Sequence, residues 1–247
     1  MSSGMKVVCT SREVMIPAPE RTLSGTLDFT PDAPGIVLFA HGNGSSRYSP
    51  RNRFVADSLQ RVGLGTLLFD LLGDDEAEDH RNVFDIERLA GRLLAAANWL
   101  SQQPATRRLP LVYFGASTGA AAALVAAAIR PDLVGAVVCR GGRPDLAGGH
   151  LRDVKAPTLL IVGGRDQDVL ELNRRALVLL GCPSKLVVIP GATHLFAELG
   201  ALEEVARLAG QWFLRNLGSA SHLPCDQAGR IGERIPRSSH DEPYEII

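Results

Sequence analysis

Ser117, His194 and an aspartate near residue 166 are the groups whose types and placement suit covalent acyl transfer. Ser117 stands in Gly115-Ala116-Ser117-Thr118-Gly119, between the apolar run Leu111 to Phe114 and an alanine-rich stretch. Small residues on both sides let a serine ride a sharp strand-to-helix turn and lift its hydroxyl above a sheet edge. A serine at a helix start also serves as an N-cap, so the pattern alone leaves a structural role open. His194 lies in Gly191-Ala192-Thr193-His194-Leu195-Phe196, directly after another apolar run. An imidazole titrates near neutrality and can take the proton that makes a hydroxyl nucleophilic. The acid that orients it comes from Gly163-Gly164-Arg165-Asp166-Gln167-Asp168, with Asp166 nearest the preceding strand and Asp168 and Asp145 as the competing choices. A carboxylate there holds the ring tautomer and stabilises imidazolium.

A developing oxyanion needs two aimed donors. The N–H of Thr118, next after the serine, is one. The second is expected from Asn43 in His41-Gly42-Asn43-Gly44, with Gly44 as its neighbour alternative. His41 follows a strand as His194 does, but its loop is better suited to shaping the anion hole than to supplying the base. Arg47, Arg51 and Arg53 follow this loop, and Arg140 and Arg143 follow the strand ending at Cys139. Guanidinium groups at such an edge recognise a carboxylate or phosphate on a substrate, a role expected chiefly of Arg47 and Arg140. Ion pairing with the acidic run Asp74 to Asp79, read as a loop, is the alternative.

These loops are brought together if each ends a strand of one open sheet. Short apolar runs at residues 36–40, 66–72, 111–114, 134–139, 158–162 and 185–189 alternate with helical patterns at 52–62, 84–100, 120–129, 170–180 and 202–217. That alternation predicts a mainly parallel sheet with helices on both faces. Two strands are expected before it, around Lys6-Val7-Val8 and Leu23 to Leu27, with Pro17 and Pro19 marking the break between them. The interval from Cys139 to Thr158 has room for a short helix near Leu146 to Leu151 but none for an inserted lid. The reading is one catalytic domain over residues 1–217 and a tail over 218–247, extended or flexible, where periodic spacing gives way to prolines and mixed charge.

The chain has 247 residues, with 26 basic and 27 acidic side chains and a formal net charge of -1. No single-sign field exists to hold nucleic acid. No stretch has the roughly 18 apolar residues of a membrane span. Nor does the N-terminus show a signal peptide, so a cytoplasmic location is expected. Cys9, Cys139, Cys182 and Cys225 follow no disulfide or metal spacing, and His80, His150, His222 and His240 read as surface or loop histidines. The glycine loops match neither phosphate-loop nor dinucleotide patterns.

Together His41-Gly42-Asn43-Gly44, GASTG, GGRDQDV and GATHLF resemble an α/β-hydrolase of the dienelactone-hydrolase-like group, over residues 20–217. The resemblance implies an eight-stranded sheet whose second strand is antiparallel, Ser117 as nucleophile, Asp166 and His194 completing a triad, Asn43 and Thr118 as oxyanion donors, and no cofactor or metal. Dienelactone hydrolases proper carry cysteine at the elbow, so with Ser117 their lactone specificity is not carried over. The expected activity is hydrolysis of small or medium carboxylic esters by a monomer or homodimer. Thioesterase, amidase or peptidase action by the same triad is the nearest alternative, and a non-catalytic small-molecule binding protein on the same scaffold the more distant one.

Overall fold

The computed structural model describes residues 10–219 and 245–246. A hairpin opens the fold: β1 (Thr10–Ala18) pairs antiparallel with β2 (Arg21–Phe29), turning at Glu20, whose φ is 70°. Then follow β3 (Ile36–Ala40), α1 (Pro50–Arg61), β4 (Gly65–Phe69), α2 (Asp74–Ala77), α3 (His80–Val83) and α4 (Ile86–Gln102). The second half runs β5 (Leu111–Ala116), α5 (Thr118–Ile129), β6 (Val137–Arg140), a 3₁₀ segment (Pro144–Asp153), β7 (Thr158–Gly163), α6 (Gln167–Leu179), β8 (Ser184–Ile189) and α7 (Ala201–Ser219). Finally, β9 (Glu245–Ile246) pairs antiparallel with β8.

The sheet has nine strands in the order β1-β2-β4-β3-β5-β6-β7-β8-β9. From β4 through β8 neighbouring strands are parallel, while β2 meets β4 antiparallel. Every residue of β3, β4, β5, β6 and β7 is buried, as strands covered on both faces require. Alternation sorts their side chains. Leu38, Tyr113, Cys139 and Leu160 join the core shared with α4 and α5. Val37, Phe114, Val138 and Ile161 join the core shared with α1 and α7.

Two expectations need correction, at Pro17 and at the acidic run. Pro17 does not break the first strand: it lies within β1, opposite Thr22. Because β1 is the last strand of the sheet, a missing N–H is tolerated there. The strand expected around Lys6-Val7-Val8 falls outside the described residues, as does most of the tail over 218–247. The acidic run is not all loop, since Asp74, Asp75 and Glu76 form the first turn of α2. Negative charge at a helix start is favourable, and the Glu76 carboxylate accepts the Gly73 N–H at 3.0 Å. The short helix expected near residues 146–151 is the 3₁₀ segment.

Alanine in α5 serves more than helix propensity. All residues from Thr118 to Ala127 are buried, so this helix is enclosed on every side. Its start lies against backbone. A Cβ on Gly115 would sit 2.5 Å from Ala120 Cα, and one on Gly119 would sit 2.1 Å from the Ala40 carbonyl oxygen.

Behind the β4 loop, Arg92 of α4 is 2 % exposed and sets both terminal nitrogens on Glu76, at 2.7 and 2.6 Å. It also donates to the Leu71 carbonyl at 2.7 Å. This fork, aided by the Gly73 amide and Arg21 and opposed by burial, holds the Glu76 carboxyl down at about 2 from an ordinary 4.5.

A depressed carboxyl contributes stability that is complete above pH 4.5 and lost as pH falls toward about 2. Glu76→Gln therefore costs on the order of 3 kcal/mol at neutral pH by stranding Arg92, and the gap from wild type narrows on acidification in urea melts. A constant gap from pH 7 to pH 3 contradicts this assignment. At the elbow, Gly119→Ala has no room and lowers Tm sharply or prevents folding. Gly91→Ala, on a face of α4 with nothing within 4 Å, raises Tm by about 2 °C.

Candidate active site

The loops at the carboxyl ends of β3 and β6 meet at Ser117, and the β8 loop reaches Gly141 of the β6 loop. Its backbone sits at φ 53°, ψ -122°, a left-handed conformation costly for a residue with a Cβ. Its N–H donates to the Arg140 carbonyl at 3.3 Å, and its own carbonyl accepts from Arg143 and Ala120, both at 3.1 Å. Three backbone bonds thus hold the strained residue. Ser117 occupies the N-cap position of α5, yet its side chain makes no capping hydrogen bond. The capping role left open by sequence does not describe this hydroxyl.

Gly42 explains how the β3 loop comes so close. A Cβ there would lie 2.7 Å from Ser117 Cβ and 2.8 Å from the Ala116 carbonyl oxygen. Asn43, the next residue, is exposed, and its side-chain amide faces His80 Nε2 at 3.4 Å. Thr118 is the first residue of α5, so its N–H has no carbonyl within the helix to bond. Together with the adjoining stretch Ser45 to Tyr48, the loop lines one side of a cleft of about 450 Å3. Asp70, Leu72 and Asp74 line the other.

His41 is buried and cannot act as an exchangeable base. The Leu71 N–H donates to its Nε2 at 2.9 Å, which leaves Nδ1 to donate to the Gly42 carbonyl at 3.1 Å. Burial pushes its pKa below 6.5 and keeps the ring neutral. The residue ties the β3 loop to the end of β4.

His194 Nδ1 meets Asp166 Oδ2 at 2.6 Å. Asp166 stands at the N-cap of α6 without capping it, so its carboxylate is left for the imidazole. Asp168 lies inside the first turn of α6, and Asp145 is paired with Arg143 at 2.7 Å. The imidazole is 40 % exposed while the carboxylate is 15 % exposed, so the ring looks outward from a sheltered anchor. Gly141 connects this pair to the elbow. It follows the residue that bonds Ser117, it has φ 49°, and a Cβ on it would sit 3.4 Å from His194 Cε1 and Nδ1.

The arginines divide sharply. Arg47 donates to Asp70 through its backbone N–H at 2.8 Å and its Nη1 at 2.7 Å, with Glu13 a further 3.6 Å contact. Its charge is thus matched within the protein, by Asp70 and Glu13 and not by the acidic run. Arg140, 8 % exposed, has no acceptor for its Nε or Nη1 among the described residues. Burial, with the nearby Arg51 charge, brings its pKa down to about 10.

Several supporting residues escaped the sequence reading. Asp70 ends β4 as the other candidate loops end their strands, a signal the same rule could have used. Asn173 is fully buried and donates to the Gly142 carbonyl at 2.9 Å, steadying the turn that abuts His194. A polar residue on the apolar stripe Val169, Leu170, Asn173, Ala176 was its sequence signal. Glu198 accepts the Thr193 N–H at 3.0 Å and braces the His194 loop.

Among the described residues, no group of three or more His, Cys, Asp or Glu could hold a metal ion, and no helix is long and apolar enough to cross a membrane.

Known proteins agree with this architecture. A family model of the α/β-hydrolase fold matches residues 35–155. The crystal structure of dienelactone hydrolase from Anabaena variabilis is 55 % identical, covering 84 % of this chain and 98 % of that one, with a TM-score of 0.81. Est1E from Butyrivibrio proteoclasticus shares the fold at 18 % identity and a TM-score of 0.71, over 83 % of this chain and 99 % of its own. A Mycobacterium tuberculosis protein named "putative phosphoribosyl transferase" is 58 % identical over 205 residues, which is 83 % of this chain but 46 % of that protein. The chain therefore spans about half the length of the curated relatives it matches. From the first of these structures above all, the chain belongs to the α/β-hydrolase family, in its dienelactone-hydrolase-like group.

Proposed function

We propose that the protein is a serine hydrolase of carboxylic esters, acting through Ser117, His194 and Asp166. The observation that carries this reading is the 2.6 Å His194–Asp166 contact, on the strand-end edge where Ser117 is held strained and uncapped. Asp166 occupies Nδ1, so Nε2 is the nitrogen that takes the serine proton. Ser117 Oγ attacks the ester carbonyl carbon as that proton leaves. The carbonyl oxygen, now negative, receives the backbone N–H groups of Thr118 and Asn43. Collapse breaks the bond to the alcohol oxygen, and His194 returns its proton to the departing alcohol. Water then gives a proton to His194 and attacks the acyl-serine. A second collapse breaks the bond to Ser117 Oγ and frees the carboxylic acid, and His194 returns its proton to Oγ to restore the hydroxyl.

The transferase name of the mycobacterial relative is not adopted, because more than half of that protein has no counterpart in the match. Thioester and amide cleavage would use the same groups, and substrate profiling separates them.

Ser117→Ala is expected to fold normally and to lose at least ~100-fold in turnover of a short-chain chromogenic ester. Wild-type turnover in that variant rejects the mechanism. A fluorophosphonate probe should label Ser117 of the wild type and fail on His194→Gln. A folded wild type that resists the probe would favour a binding protein.

A further inference from the structure

Most arginines near the site have carboxylate partners. Arg47 has Asp70, Arg92 and Arg21 have Glu76, and Arg143 has Asp145. Arg140 and Arg51 differ. Arg140 is the last residue of β6 and more than nine-tenths buried. Its Nε and Nη1 are closed off from solvent with no acceptor, and Arg51 Nε is in the same condition. The two charges are near enough to repel, and Arg51 adds to the burial that lowers the Arg140 pKa. The one compensating contact in view is weak: the Phe196 ring centroid lies 5.9 Å from the Arg140 guanidinium carbon.

Such a pair is costly without an anion between its members. A buried cation without an anion forfeits its hydration, and a second cation beside it worsens the loss. Sheet alternation sends Arg140 to the same side as Val138, the side covered by α1 and α7. Arg51 lies in the first turn of α1, a helix of twelve residues with no acidic residue in that turn. The positive end of its dipole adds to the same field. Arg51 is partly exposed, Arg140 is buried nearby, and the Arg140 carbonyl holds the Ser117 N–H.

We infer that Arg140 and Arg51 form a receiving site for an oxyanion, a carboxylate or phosphate, carried by the substrate beside the reacting serine. This rests on the hydrolase reading above for the word substrate, but not for the site itself. A planar guanidinium pair suits the oxygens of either group. Arg51 meets the incoming anion and Arg140 seats it. The site replaces Arg47, whose charge is already matched, as the partner of Arg140.

The test compares three p-nitrophenyl esters of similar length on the whole chain: a neutral butyrate, a hemisuccinate and a 3-phosphonopropionate. In parallel, Tm is measured with inorganic phosphate and with succinate. The wild type is expected to favour an anionic ester at least ~10-fold in kcat/KM. The preferred one of the two distinguishes carboxylate from phosphate. In Arg140→Met and Arg51→Gln the anionic-to-neutral ratio should fall toward one. Phosphate or succinate should raise the wild-type Tm and leave Arg140→Met unmoved. Arg140→Met alone should keep or raise Tm, since it removes an unmatched buried charge. Equal turnover of all three esters, with no Tm response, overturns the anion site and leaves the hydrolase reading standing. No ester cleavage, with an anion-dependent Tm shift that both variants abolish, keeps the anion site and overturns the hydrolase reading. A Tm loss in Arg140→Met, with the ratio unchanged in Arg51→Gln, makes Arg140 a packing element and rejects the proposal.

Discussion

Three backbones pass through one point of this fold without side chains between them. Gly115 lets α5 lie against β5, Gly119 lets it reach the end of β3, and Gly42 lets the β3 loop touch the elbow. Any Cβ at these positions would have to occupy space already filled. The strain at Ser117 persists because its neighbours allow no easier path for the turn. The hydroxyl makes no capping bond, and the first amide of α5 has no carbonyl within the helix to bond. The acid and base need no such device. They sit on neighbouring strands, and parallel register brings the ends of β7 and β8 together.

Most of the architecture was legible because central strands buried on both faces read as short apolar runs. The contact of Asp166 with His194 follows the same logic, since the earliest aspartate after β7 has the shortest path to the neighbouring loop. What went unread was pairing between the loops that follow two neighbouring strands, β3 and β4. Arg47 and Asp70 are 23 residues apart, and only the placement of β4 between β2 and β3 makes them partners. The acidic run does form ion pairs, but with Arg92 of α4 and Arg21 of β2 rather than with the arginines after β3 and β6. Pro17 misled for a related reason: a proline breaks a strand only where its N–H would have been needed.

Charge is distributed with a purpose that composition hides. A net charge of -1 describes a chain whose acids and bases nearly cancel. On the β4 side of the site the cancellation is local, through Glu76 and Asp70. On the β6 side Asp145 matches Arg143, but Arg140 is left with an aromatic ring and another cation. Rigid matched charge on one flank and unmatched charge on the other gives the edge a polarity that a ligand can read.

The hairpin and β9 close the two margins of the sheet in different ways. At one margin Pro17 deprives β1 of a donor. At the other, Glu245–Ile246 occupies β8 beside Val187 and Val188. Open strand margins are where foreign chains add themselves and where protein begins to precipitate. By laying its own distal residues along β8, the polypeptide caps that margin from within. Handling of this protein, including any fusion placed after β9, therefore bears on its solubility before it bears on its chemistry.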